Sequence, residues 1–326
     1  MEMKLDIVGL FPGQGSQSPG MGKFLFDQFS VARETFEEAS DALSLNIKKL
    51  CFEADMKELS LTSNTQPALL TTSTATFRVL QKEFDVKFKM TAGHSIGEYG
   101  SFVLSEAMSF TDAVRAVRLR GESMQSAVPV GQGGMAAVLG LEDEQVVKIC
   151  QLVSEKTKSV LQAANFNCPG QVVISGSVAA IDHLKNDFQV ADHFPEIKKI
   201  KLIPLQVSAP FHCDLMKPAE DTMRALLTGT KIHDAKTPIL QNFTARVETK
   251  SSVLRENLIR QVSGSVRWTQ SMKVLLEQDL TTCIELGHGQ VLSGLLKKID
   301  SSRFRVFNTS NLEDLEKIEN FLKTGV

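Results

Sequence analysis

Apolar residues along the chain fall into two rhythms, short runs closed off by glycine or polar loops and longer stretches that repeat every three or four positions. A run near residues 5–11 predicts a strand that passes into the loop FPGQGSQSPGMG. Helical spacing follows around 22–42 and 66–82, the second preceded by LTSNTQP with its turn and N-cap residues. The segment VKFKMTA alternates as a short strand does, IGEYGSFVLSEAMSF returns to helical spacing, and a further helix is predicted near 110–126.

The pattern changes after AVPVGQGG. GMAAVLG predicts a strand, EDEQVVKICQLVSEK an amphipathic helix and SVLQAANF a strand. QVVISG then predicts a strand, SVAAIDHLKNDF a helix and IKKIKLIPL a last strand. That βαββαβ order is the ferredoxin-like arrangement over about 131–205, expected as a module inserted between two parts of a larger α/β domain, 1–130 and 206–326. Strands are expected again around 237–243, 282–287 and 304–308, with helices around 253–262, 268–278, 290–299 and 311–322.

Between the strand and the helix at residues 86–107 stands Gly93-His94-Ser95-Ile96-Gly97. Strand, Gly-x-Ser-x-Gly, helix is the context of a nucleophile elbow. A sharp turn that carries a strained serine leaves no room for side chains beside it, which the two glycines supply. The helix start aims free N–H groups and the positive end of its dipole at an oxyanion.

Composition narrows the partners. The 326 residues are 42% hydrophobic with a net charge of −2, which gives no footprint for nucleic acid. No apolar run reaches the ~20 residues that span a bilayer. MEMKLDIVGLF passes from acidic residues straight into a strand, unlike a signal peptide, so a soluble cytoplasmic protein is expected, without a membrane partner. The five cysteines are scattered without a C-x-x-C, as reduced thiols are, and the six histidines show no H-x-x-x-H spacing, so no metal or other cofactor is expected.

A serine nucleophile needs a base. His94 adjoins the nucleophile and points away from it as a packing or orienting group, while His183, His193 and His233 read as ordinary surface or loop residues. Two candidates stand close: His212, in VSAPFHC where the inserted module returns to the body, and His288, in the Gly-His-Gly that follows a strand and precedes a helix. The loop FPGQGSQ lacks the lysine of a phosphate-binding P-loop, and its backbone N–H groups suit an oxyanion donor as well as a phosphate cradle.

FPGQGSQ, GHSIGEY, NFNCPGQVVISG, VSAPFHCDLMKPA and LIRQVSGSVRWTQSM together resemble the malonyl-CoA:acyl carrier protein transacylase family, in order and spacing, over nearly the whole chain. The resemblance implies an α/β-hydrolase-like core with an inserted ferredoxin-like subdomain. It implies Ser95 as the nucleophile that takes the acyl group as an ester and His212 as general base and acid, the imidazole oriented by the backbone carbonyl of Gln261. The N–H groups of Gln14 and Ile96 match the oxyanion hole, and Asn165 matches a residue near the substrate channel. Arg120, which its own surroundings would make a surface ion pair with a residue such as Glu122, matches the arginine that grips the malonyl carboxylate. A planar guanidinium suits that task because it makes two parallel bonds and stays charged when desolvated.

The chain departs from the family where Gly287-His288-Gly289 replaces the usual Gly-Pro-Gly. Phe211 resembles members that select malonyl over branched methylmalonyl groups, because its ring crowds an α-methyl. The implied reaction is ping-pong transfer of malonyl from malonyl-CoA to acyl carrier protein for fatty-acid synthesis, by a monomer. A free-standing polyketide acyltransferase and an acyl hydrolase share the same chemistry. Acyl carrier proteins are acidic, and Lys198, Lys199, Lys201, Arg260 and Arg267 are the expected basic rim.

Overall fold

The computed structural model describes residues 5–207 and 209–325; Ser208 of the VSAPFHC segment lies outside the described residues. In chain order the strands are β1 (Ile7–Phe11), β2 (Phe88–Gly93), β3 (Gly133–Leu139), β4 (Leu161–Cys168) and β5 (Gln171–Ser177). They continue with β6 (Lys201–Pro204), β7 (Ile239–Gln241), β8 (Arg246–Glu248), β9 (Thr282–Glu285) and β10 (Arg305–Phe307). One sheet has the order β10-β9-β1-β2-β7-β8 and is parallel except for β8, which folds back antiparallel on β7. Every residue of β1 is buried, as a strand covered on both faces requires. The second sheet, β4-β5-β3-β6, is wholly antiparallel.

Helices α1 (Lys23–Gln28), α2 (Ser30–Leu43), α3 (Ile47–Phe52) and α4 (Met56–Leu59) lead into α5 (Thr62–Phe84). The single helix expected at 22–42 is two, because Phe29 is extended at φ −120°, ψ 129°. LTSNTQP, expected as a turn, is mostly helical: α5 starts at Thr62 and runs through Pro67. Proline removes the donor that would reach the carbonyl four residues back, and Arg118 Nη1 donates to that Ser63 carbonyl at 3.0 Å instead. Most of α5 is buried although it is rich in threonine, since hydroxyls such as those of Thr71 and Thr76 bond to carbonyls one turn earlier.

The elbow leads into α6 (Gly97–Leu104), followed by α7 (Phe110–Ser126). The antiparallel sheet carries α8 (Asp143–Thr157) and α9 (Val178–Asn186), giving the βαββαβ order expected. Then come α10 (Lys217–Gly229), α11 (Ser251–Arg260), α12 (Trp268–Glu277), α13 (Val291–Asp300) and α14 (Leu312–Thr324). Neither α10 nor β8 was expected. The buried Ala219, Met223 and Leu227, spaced four apart behind a proline in the first turn, are the signal for α10. The antiparallel sheet joins the segment between α11 and α12 where Phe166 N donates to Val266 O (2.9 Å) and Val266 N to Ala164 O (2.8 Å). Among the described residues no helix is long and apolar enough to cross a membrane.

At the end of β2 the chain turns within three residues, with Ser95 at φ 52°. A Cβ on Gly93 would stand 2.0 Å from the Gly97 carbonyl carbon, and one on Gly97 would stand 2.2 Å from Phe11 O. Both obstacles are backbone, so no side chain can move aside. Gly97→Ala should therefore destabilise the fold by at least about 2 kcal/mol, whereas Gly229→Ala, where nothing lies within 4 Å of the added carbon, should be nearly neutral. Thermal denaturation of the two variants checks this; equal midpoints would mean that the elbow tolerates a side chain.

Candidate active site

The strained turn at Ser95 is held from below. Asn242, just beyond β7, accepts the Ser95 N–H through Oδ1 (2.7 Å) and donates Nδ2 to Gly93 O (2.6 Å). The hydroxyl of Ser95 meets His212 Nε2 at 2.7 Å. His212 is itself in the left-handed region at φ 60° and is 3% exposed. Its Nδ1 lies 2.8 Å from Gln261 O and 3.1 Å from Gly264 O. Carbonyls only accept, so Nδ1 carries the proton and Nε2 is left to accept from the serine. Burial, then the positive Arg120, push the His212 pKa down to about 3. His288 is not hydrogen-bonded to Ser95; its Nε2 meets Ser18 Oγ at 2.6 Å.

Arg120, on α7, is 1% exposed, although most arginines stay wet. Glu122 pairs instead with Arg118 at 2.6 Å. Arg120 Nη2 donates to Gln261 Oε1 (2.9 Å) and reaches Ser95 Oγ (3.3 Å), while its Nε is buried without a partner. Its guanidinium carbon lies 6.0 Å from the centre of the Tyr99 ring. Glu98, fully buried in the first turn of α6, is the nearby counter-charge. It accepts from Gln241 Nε2 (3.0 Å), Asn242 N (2.9 Å) and Gln261 Nε2 (3.1 Å), and burial pushes its pKa up. Gln261 Nε2 also donates to Ser95 O at 2.9 Å. Sequence reasoning found the Gln261 carbonyl and missed its side chain, Glu98 and Asn242; GHSIGEY contains Glu98, and only its place one turn beyond the serine hinted at a role.

Ile96 directly follows the serine, and Gln14 lies on the loop after β1. Ile96 is the N-cap of α6, and a Cβ on Gly13 would stand 2.8 Å from His94 O, so the loop after β1 lies against the elbow. No protein acceptor among the described residues takes either N–H. His94 faces Asn167 Oδ1 at 2.9 Å and packs 5.5 Å from Trp268, as a packing group does. Asn165 is 7% exposed at the bridge to Val266, so of the two asparagines in NFN it is Asn167 that touches the elbow. Phe211 is 8% exposed beside His212.

A cleft of about 660 Å3 opens at His212 and is lined by Glu220, Arg224, Arg260 and Arg267 among others. Lys198, Lys199 and Lys201 do not line it; Lys201 lies on β6, the strand of its sheet farthest from β4.

A model of the acyl transferase domain matches residues 8–317. The malonyl CoA-acyl carrier protein transacylase of Bacillus subtilis is 43% identical over 98% of this chain and 96% of its own length. The chain belongs to the malonyl-CoA:acyl carrier protein transacylase family. Among solved structures, the transacylase of Coxiella burnetii superposes with a TM-score of 0.91 at 34% identity, covering 99% of each chain. A malonyl-transacylase solved with a type II polyketide acyl-carrier protein superposes at 0.88 with 36% identity, over 97% of this chain and 99% of that one.

In this site His212 is buried, and its depressed pKa keeps the ring neutral. In the substrate-free protein, His212 should hold its proton on Nδ1 from about pH 8 to about pH 5, without titrating near the ordinary value of about 6.5. Nitrogen NMR of imidazole-labelled protein checks this, and a half-titration near that value would mean water reaches the ring. The sign for folding follows: the unfolded chain takes up this proton first, so the stability contributed by the neutral ring is complete above about pH 6.5 and declines toward about pH 3.

Proposed function

We propose that this chain transfers malonyl groups from malonyl-CoA to the phosphopantetheine thiol of acyl carrier protein through an ester on Ser95, supplying extender units for fatty-acid synthesis. The observation that carries the reading is Arg120: a guanidinium buried beside the nucleophile with an unpartnered Nε. A carboxylate that takes the Nε hydrogen and displaces the long Nη2 contact to Ser95 Oγ gains the two parallel donors of one guanidinium edge. An acetyl group leaves this cation unpaired in a dry site, and that penalty separates the two thioesters.

In the first half-reaction Ser95 Oγ bonds to the thioester carbon while its proton passes to His212 Nε2. The carbonyl electrons move onto an oxyanion facing the N–H groups of Gln14 and Ile96. Collapse of the adduct breaks the carbon–sulfur bond, and the coenzyme A thiolate leaves with the proton from His212. The carrier thiol then repeats the sequence on the ester. Phe211, buried beside His212, fits the role of crowding an α-methyl, and Asn165 that of a residue near the substrate channel. Arg260 and Arg267 offer an acidic carrier a positive rim at the cleft.

The folding units we infer are an α/β-hydrolase-like body of residues 1–130 and 206–326 and a ferredoxin-like subdomain of 131–205. The βαββαβ order and the sheet order β4-β5-β3-β6 support the second. We read the enzyme as a cytoplasmic monomer: all the groups named come from one chain, and its five free thiols are buried, as suits a reducing compartment. The neighbour solved with a polyketide carrier favours one second reading, supply of a polyketide line, which differs only in the carrier. Comparing transfer to fatty-acid and polyketide carriers decides between them.

Intact-protein mass measurement after malonyl-CoA should show one malonyl adduct, lost in Ser95→Ala. His212→Ala should slow transfer by about 10²–10⁴-fold. An adduct on Ser95→Ala would place the ester elsewhere and sink the mechanism.

Arg120→Ala should lose malonyl transfer by about 30- to 1,000-fold, equivalent to about 2–4 kcal/mol, and gain in relative activity toward acetyl-CoA. Malonyl kinetics within about threefold of the parent would remove Arg120 from the substrate site.

A further inference from the structure

The loop after β1 carries Gln14, and its hydrogen bonds are few. Gly15 N donates to Gln17 Oε1 (2.7 Å), Ser16 Oγ donates to Gly13 O (2.8 Å), and Met21 N closes a turn on Ser18 O (3.1 Å). All of these stay within residues 13–21. Among the described residues, one hydrogen bond ties Pro12–Ser18 to another part of the chain, Ser18 Oγ to His288 Nε2 at 2.6 Å.

The topology explains why His288 is there. β1 lies between β2 and β9, with all three parallel, so the loops leaving their carboxyl ends sit side by side. The elbow leaves β2, the Gln14 loop leaves β1, and Gly287-His288-Gly289 leaves β9. The outer two loops clasp the middle one: Gly13 packs on His94 from one side, and a Cβ on Gly289 would stand 3.3 Å from Ser16 Cβ on the other. His288 is braced in turn, since Gly287 N donates to Thr309 Oγ1 (3.0 Å) and Gly289 N to Ser310 Oγ (3.1 Å).

We infer that His288 is a positioning residue for the oxyanion hole, holding the Gln14 loop against the nucleophile elbow through Ser18. A donor displaced by a fraction of an ångström loses much of its grip on an oxyanion, while substrate recognition at Arg120 is untouched. The bond therefore acts on the chemical step rather than on binding. A proline at position 288 would have no side-chain donor or acceptor for Ser18, so the tether depends on the histidine.

The inference rests on the proposed Gln14 oxyanion hole, so the test has one arm that does not need malonyl chemistry. Single-turnover acylation by malonyl-CoA and inactivation by a fluorophosphonate, whose adduct on Ser95 uses the same donors, are measured together. The proteins are the parent, His288→Ala, Ser18→Ala, the double variant and His288→Gln. Expected is a fall of about tenfold in the maximal rate of both reactions for each alanine variant, with half-saturation by malonyl-CoA within about twofold of the parent. The double variant should be no slower than either single one, and His288→Gln, which keeps a polar atom in reach of Ser18, should recover to within about threefold. Rates within about twofold of the parent in both arms, a change in half-saturation alone, or multiplying effects in the double variant would each overturn the inference. Thermal midpoints are recorded alongside, and a lowered midpoint with unchanged rates shows a structural tie only and likewise overturns it. If the fluorophosphonate labels Ser95 and malonyl-CoA does not, the proposed function fails and the inference is still judged on the probe.

Discussion

A cation and a carboxylate lie buried beside the nucleophile, and one amide stands between them. Arg120 gives its Nη2 hydrogen to Gln261 Oε1, and Gln261 Nε2 gives its own to Glu98. Burying either charge alone would be strongly unfavourable, and the pair is tolerable because each has polar partners. The same glutamine takes the imidazole N–H on its backbone carbonyl and donates to Ser95 O. One residue thus fixes the His212 ring, the Arg120 cation and the floor of the elbow. The arrangement is rigid, because moving Gln261 for one partner breaks its bonds to the others. It also keeps Glu98 from closing on Arg120 as a direct ion pair, which leaves Nε buried without a partner.

The sheets set where these groups converge. In the parallel sheet the elbow follows β2, the Gln14 loop follows β1, Asn242 follows β7 and His288 follows β9, so four neighbouring strands deliver their loops to one edge. His212 and Gln261 do not belong to that edge by connection. His212 follows the antiparallel sheet in the chain, and Gln261 ends α11 just before Val266 pairs with β4. The antiparallel sheet is therefore stitched to the body five residues from the carbonyl that orients the base.

The elbow was legible because its requirements are local. Gly93 and Gly97 are forced by backbone atoms within a few residues or on the adjoining strand, and alternation before and helical spacing after them can be read directly. The contest between His212 and His288 could not be decided from residue chemistry, because both follow strands and precede helices; the distance to Ser95 exists only after the antiparallel module has folded back. Arg120 looked like a surface residue on α7 since its partners, Tyr99 on α6 and Gln261 after α11, reach it only in the folded chain. The Gln261 side chain and Asn242 gave no periodic signal at all. Helix α5 was expected to start late because the turn and N-cap residues of LTSNTQP suit a helix start, and the Ser63 carbonyl that Pro67 leaves without a donor is met by Arg118, fifty-odd residues later. Lys201 was expected on the rim as part of the inserted module's last strand, whereas the order of strands puts that strand at the edge farthest from β4.

The electrostatics of the dyad have a consequence for selectivity under the proposed reaction. Arg120 is close enough to bond to Ser95 Oγ, which in turn bonds to His212, and its positive charge adds to burial in keeping the imidazole neutral. An imidazolium must form as the serine attacks, and in the empty site it would form beside a cation whose nearest carboxylate, Glu98, is held off by the Gln261 side chain. A carboxylate seated on Arg120 cancels that field, so the imidazole becomes a better proton acceptor at the moment the correct acyl group is in place. An acetyl group brings no such charge. The base then remains weak, and Nη2 stays bonded to the serine oxygen, holding its lone pair back from attack. Discrimination therefore acts on the chemical step as well as on binding, through one guanidinium that a single bound carboxylate neutralises.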